Sequence, residues 1–170
     1  MGGVGGRKKV VIVSICKIFF WLFIGVANAA TWDPTLGWDF ECHSYSHPYL
    51  TQLSDNQIRW EMEQVNAAFI AHGYSSPRHH AYPYGDFDGR VENILKEYRD
   101  TAWIAGGNTE TYPVQNWYEI KAAPLEKTTQ WNEVKTWIDS SIANKGLLII
   151  FTHDVSENPS DYGCTPAMLE

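Results

Sequence analysis

Between residues 38 and 42 the chain alternates apolar and acidic side chains: Trp38, Phe40 and Cys42 against Asp39 and Glu41. That period of two predicts a strand with one buried face. The strand runs into His43-Ser44-Tyr45-Ser46-His47-Pro48, where two imidazoles lie four residues apart. A helical turn between them would aim both at one point, and neutral imidazole is the commonest side-chain ligand for a metal. The period then lengthens. Ile58, Met62, Val65 and Phe69 recur at helical spacing. Ser54, with Gln57 three residues on, opens that helix as a capping box, and Gly73 ends it. His72 reads as a surface residue that answers the helix dipole.

Residues 75–90 are rich in turn formers and predict a loop carrying His79, His80, Tyr82, Pro83, Tyr84 and Gly85. A short helix follows, with Val91, Ile94, Leu95 and Tyr98 on one face. Residues 101–105 predict a strand, and residues 117–120 another. Thr128 or Thr129 is expected to cap a helix that turns Val134, Trp137, Ile138 and Ile142 inward and ends at Gly146. Residues 147–151 are apolar throughout, as in a strand buried on both faces of a parallel sheet. They deliver Thr152-His153-Asp154 at their C-terminal end. Strand–helix alternation predicts an α/β fold with a parallel sheet, open or closed into a barrel. Chemistry in such folds gathers at the C-terminal ends of the strands. His43 and His47 follow one predicted strand and His153 another, so the three are expected to share a site.

Composition changes the picture at the N-terminus. Arg7, Lys8 and Lys9 precede a run, residues 10–26, that is apolar except for Ser14, Lys17 and Gly25, and Ala27-Asn28-Ala29 follows as a cleavage motif. Residues 1–29 therefore read as a signal peptide or, if uncleaved, a membrane anchor. Either reading places the body outside the cytoplasm and confines membrane contact to that segment. The four charged residues among the first 29 are all basic, so the remaining nine basic residues face all 20 acidic ones. A body that acidic argues against nucleic acid as a partner. At 44% hydrophobic and 14% aromatic, the chain can build a core. Three cysteines make no disulfide framework, and Cys42 and Cys164 read as small, partly buried thiols.

Three segments, in this order, resemble the motifs of the polysaccharide deacetylases, the NodB-like carbohydrate esterases. They are His43-Ser44-Tyr45-Ser46-His47-Pro48, Ala81-Tyr82-Pro83-Tyr84-Gly85 and Leu148-Ile149-Ile150-Phe151-Thr152-His153-Asp154-Val155. The resemblance implies that residues 30–170 form a partial, distorted (β/α) barrel, truncated at both ends. It implies a hydrolase that removes N- or O-acetyl groups from an acetylated polysaccharide or oligosaccharide with a divalent metal, zinc by the family's habit. His43 and His47 would be two of three metal ligands. The Tyr84 backbone N–H would help hold the oxyanion, and His153 would be the general acid. Trp117 is a candidate for stacking on a sugar.

The family's Thr-Phe-Asp-Asp motif, which supplies the catalytic base and the third ligand, has no counterpart, because the chain contains no Asp-Asp pair. Arg78, five residues before Pro83, is a candidate for the arginine that orients that base. The Asp-x-x-Asp-Trp motif is not recognisable, and Asn116-Trp117 is its nearest remnant. Two alternatives stand beside the enzyme. One is a catalytically inactive exported remnant that binds carbohydrate or metal. The other is a membrane-anchored structural protein whose working part is residues 10–30.

Overall fold

The computed structural model describes residues 40–107 and 109–169. The leader, and Trp38 and Asp39 of the first expected strand, lie outside them. Four strands form one parallel sheet in chain order: β1 (His79–Ala81), β2 (Thr101–Ala105), β3 (Ile120–Pro124) and β4 (Ile149–Phe151). The register sets His80 beside Ala102, Trp103 beside Ile120 and Ala122 beside Ile149. Residues 40–42 add a single parallel rung at the free edge of β1. There the Cys42 N–H donates to His79 O (3.1 Å), and the Ala81 N–H donates to Cys42 O (2.9 Å). Of the strand expected before the histidine turn, the described residues show this one rung at Cys42.

Helix α1 (Asp55–Ala71) follows from its sequence. The Ser54 N–H and hydroxyl both donate to Gln57 Oε1, at 2.9 and 2.8 Å, and so close the N-terminus. Ile58, Met62 and Val65 are buried, and Phe69 packs beside them. His72 is exposed at the other end, where its Nδ1–H donates to Ala68 O (2.8 Å), which also accepts the His72 backbone N–H (3.2 Å). Helix α2 (Gly89–Leu95) begins where Asp88 Oδ1 accepts the Val91 N–H (2.8 Å), and it buries Val91, Ile94 and Leu95.

The structure departs from the sequence reading in four places. Strand β1 lies inside the expected loop, because its histidines look polar although His80 is fully buried. Strand β3 begins at Ile120, where the expected strand ended. Helix α3 (Trp131–Ala143) is capped by Gln130, not by a threonine, and the Gln130 N–H donates to Glu133 Oε2 (2.7 Å). It buries Val134 and Trp137, but Ile138 and Ile142 face solvent. Finally, Leu147, Leu148, Ile149 and Ile150 are only half-buried. Strand β4 is the last in the sheet, and among the described residues no strand pairs with its far edge.

Three packed clusters form the core. The first joins Cys42 to α1, α2 and Ala102; the second lies along the sheet around Trp103 and Phe151; the third links α3 to Leu125 and Cys164. Cys42 and Cys164 are both buried free thiols. Among the described residues no helix is long and apolar enough to cross a membrane.

Candidate functional site

His43 comes first, because the strand rung that ends at Cys42 delivers it to the C-terminal end of β1. Its Nδ1 lies 2.7 Å from Ala81 O. A carbonyl can only accept, so Nδ1 carries the proton and Nε2 keeps its lone pair. A ring oriented this way is what metal-ligating histidines show. Burial lowers the His43 pKa to about 4, against the bond to Ala81, and the nearby His47 and His153 add to the fall. The ring is therefore neutral at physiological pH.

His47 reaches the same place by a route the spacing did not predict. The segment is not helical. Ser44 and His47 take left-handed backbone angles, φ 62° and 60°, which cost roughly 1–2 kcal/mol each for residues with a Cβ. The His47 N–H donates to Ser44 Oγ (3.1 Å). The two imidazole rings meet edge to face with centroids 4.6 Å apart.

Glu61 holds this strained turn. Its carboxylate, 3% exposed, accepts the Tyr45 N–H (2.7 Å), the Ser46 N–H (2.8 Å) and the Ser46 hydroxyl (2.5 Å). The sequence reading missed it. The signal was there: Glu61 occupies the i+3 position of the buried stripe Ile58, Met62, Val65, and an acid on a buried stripe needs donors.

The Pro83–Gly85 turn closes over the pair from the end of β1. Tyr84 is also left-handed (φ 60°). Its ring meets His47 edge-on (4.6 Å) and stacks on Tyr49 (4.2 Å, 12°). The two turns are tied together where the Thr51 N–H and hydroxyl donate to the Asp86 carboxylate at 2.8 and 2.9 Å.

His153 follows β4, exposed, with its N–H donating to Tyr162 O (3.2 Å) and its Nδ1 3.3 Å from the same carbonyl. It stands near enough to His43 to disfavour a charge there. The loop beyond is folded on Asp154, which accepts the Ser160 N–H (3.1 Å) and hydroxyl; these bonds hold the carboxyl below its usual pKa. Gly163 is needed there, because a Cβ would fall 2.6 Å from Asp154 O.

The structure thus brings His43, His47, Tyr84 and His153 to one end of the sheet. It does not bring Trp117 or Arg78. Trp117 lies three residues before β3, its carbonyl accepting the Ala102 N–H (2.8 Å), at the N-terminal end of the strands. Arg78 precedes β1 and is exposed, with Nε donating to Asp100 Oδ2 (2.6 Å). For a metal, the two imidazoles are a suitable but partial donor set. Among the described residues no group of three His, Cys, Asp or Glu side chains is placed to hold an ion.

Comparison with known proteins agrees with this geometry. The family model for polysaccharide deacetylase matches residues 35–103. That range takes in both turns of the site and stops before His153. The comparison with curated proteins found no match. Among solved structures, a Bacillus anthracis protein assigned as a polysaccharide deacetylase aligns with TM-score 0.51 at 16% identity, over 62% of this chain and 33% of its own. A family 4 carbohydrate esterase from Streptomyces lividans, solved in complex with acetate, aligns with TM-score 0.41 at 23% identity, over 69% of this chain and 66% of its own. The chain therefore spans about a third of the first structure, with which it shares a fold: the four-stranded parallel sheet and its helices make a partial (β/α) barrel. Over residues 35–103 this chain is similar to the polysaccharide deacetylases.

Proposed function

We propose that the chain is a metal-dependent hydrolase that removes acetyl groups from a polysaccharide, with its chemistry at His43, His47, Tyr84 and His153. The observation that carries this reading is the meeting of two imidazoles, each four residues from the other, with a third delivered by a strand three positions along the sheet. His43 and His47 are the residues that would hold a divalent ion, with zinc the first candidate for a set of imidazole nitrogens. Such an ion would supply Lewis acidity, to acidify water and polarise the acetyl carbonyl. The chain's own residues do the rest. The Tyr84 backbone N–H, in its left-handed turn, would help hold the developing oxyanion. His153, with its Nδ1–H toward the Tyr162 carbonyl, would pass a proton from Nε2 to the departing nitrogen or oxygen when the ring is in its doubly protonated form.

Among the described residues no group of three His, Cys, Asp or Glu side chains is placed to complete a metal site. That observation favours a second reading, a carbohydrate- or metal-binding remnant without turnover. Acetate release from acetylated oligosaccharides by the full chain, with zinc and then with chelator, separates the two. Chelator-sensitive release that is lost in His153→Ala supports the enzyme. Metal and glycan binding with no release supports the remnant. A place outside the cytoplasm rests on residues 1–29 alone.

A further inference from the structure

Beside the first core cluster lies a charge with no counter-charge. Arg99, between α2 and β2, is 3% exposed. Its Nη1 donates to Asn66 Oδ1 and to Tyr98 O, both at 2.9 Å and both neutral. Among the described residues its Nε and Nη2 have no partner. The other three described arginines differ. Arg59 pairs with Glu97 (2.7 Å), Arg78 with Asp100 (2.5 Å) and Arg90 with Asp55 (3.0 Å), each in reach of water. A guanidinium keeps its proton wherever a protein folds. Burial therefore leaves the charge of Arg99 in place, and a buried charge without a partner is costly.

His80, fully buried, adds a second unmatched donor. Its Nδ1 lies 3.2 Å from Cys42 Sγ. An imidazole nitrogen is a better acceptor than the Met62 thioether, 3.9 Å from the same sulfur. The thiol therefore donates to Nδ1, and the ring proton sits on Nε2, which has no partner among the described residues. The two side chains share one neighbourhood. After burial, Arg99 is the largest influence on Cys42, where it favours a thiolate; on His80 it follows burial and His43, and it opposes a charge. Glu41, which also acts on Cys42, is taken up by the Arg78 and His79 N–H groups (2.8 and 2.7 Å).

The chemistry selects the ligand. The orphaned groups of Arg99 and His80 are all donors, and the one formal charge among Arg99, His80 and Cys42 is positive. Donors without an acceptor suit an anion, and one guanidinium balances a single negative charge. Side chains this deeply buried suit a small ion, not a phosphate with oxygens to hydrate. A water accepts from such donors too, but it leaves the charge unanswered.

We propose that Arg99 and His80 Nε2 hold a single halide ion, chloride in ordinary salt, in the core beneath the histidine turn. Cys42 leads directly into His43, and the residue after His80 is Ala81, whose carbonyl orients the His43 ring. The ion is thus part of the ground under that ring. The inference stands whether or not the chain turns over a substrate.

The test is urea unfolding of the full chain in sodium gluconate, with chloride or bromide replacing gluconate at constant ionic strength. An ion that binds only the folded chain multiplies the folded-to-unfolded ratio by 1 + [halide]/Kd, about 11-fold at ten times Kd. Wild type should follow that curve. Arg99→Met keeps the reach of the side chain without its charge, and should show equal midpoints in all three salts. General salt effects act on both proteins alike, so their difference is the readout. A second measurement needs no variant: crystals of wild type in sodium bromide should show an anomalous peak within hydrogen-bond reach of Arg99 and His80 Nε2. Wild-type midpoints indifferent to halide, a halide dependence that survives in Arg99→Met, or an ordered water without anomalous signal at that place each overturn the site.

Discussion

The ground beneath the histidine turn and the ground beneath His153 are built differently. Under the turn, Cys42, Leu50, Ile58, Met62 and Leu95 are 0–1% exposed, and a buried carboxylate ties the turn to α1. Under His153, Ile149 and Ile150 of β4 are half-buried, with Phe151 alone of that strand buried, and α3 shows Ile138 and Ile142 to solvent. What shapes the second region is local, the bonds of Asp154 to Ser160 and of His153 to Tyr162. The family match covers the first region and stops before the second. The lesson is that the two imidazoles that would bind metal are fixed by tertiary packing, and the one that would move a proton is fixed by its own loop.

The sharpest way to break that contrast is in the core. Ile58→Ala opens a cavity beneath the turn and should cost about 2–5 kcal/mol in urea unfolding. A loss under about 1 kcal/mol would mean that the first region is not the better packed of the two. Glu61→Ala comes next. It leaves two backbone N–H groups of the turn without their acceptor, at about 1–3 kcal/mol for each one that stays dry. Glu61→Gln, which can still accept, should cost less. Equal losses for the two variants would show that the carboxylate acts by filling space.

Acid should weaken the same region. His80 is fully buried with its Nδ1 3.2 Å from Cys42 Sγ. Burial first, then His43 and Arg99, presses its pKa well below 6.5. As pH falls below 6.5, the unfolded chain takes up a proton that the folded chain refuses, so stability drops by up to about 1.4 kcal/mol per pH unit. His43 adds to the fall between 6.5 and about 4. Urea midpoints from pH 7.5 down to 5 should fall less steeply for His80→Asn than for wild type, whatever the variant costs at neutral pH. The smallest effect belongs to the other region: Ile142→Ser, on the outward face of α3, should change stability by no more than about 0.5 kcal/mol. A larger loss would show that this face is covered in solution.

Much of the first region was legible because its signals are periodic. The α1 stripe, the Ser54–Gln57 cap and the short helix after Asp88 all depend on neighbours in sequence. Strand β1 was hidden because His79 and His80 read as loop residues, and only the sheet shows that one of them is core. Glu61 was hidden for a related reason, since the bonds that make it essential cross 15 and 16 residues. In the second region the error ran the other way. Apolar Ile138, Ile142 and residues 147–150 were read as buried, but burial depends on what covers a strand or helix, and sequence pattern alone cannot show that. Three of the four expected site residues beyond His43 do converge with it; Trp117 does not, because an aromatic side chain carries no address.

The measurement that tests the account most directly is a zinc titration of the full chain against His43→Ala and His47→Ala, followed by calorimetry with the protein folded by circular dichroism. The account predicts one bound equivalent for wild type and loss of that equivalent in each variant. Undiminished binding in both variants would contradict it, and would place any metal elsewhere than between the two imidazoles that the Glu61 turn brings together.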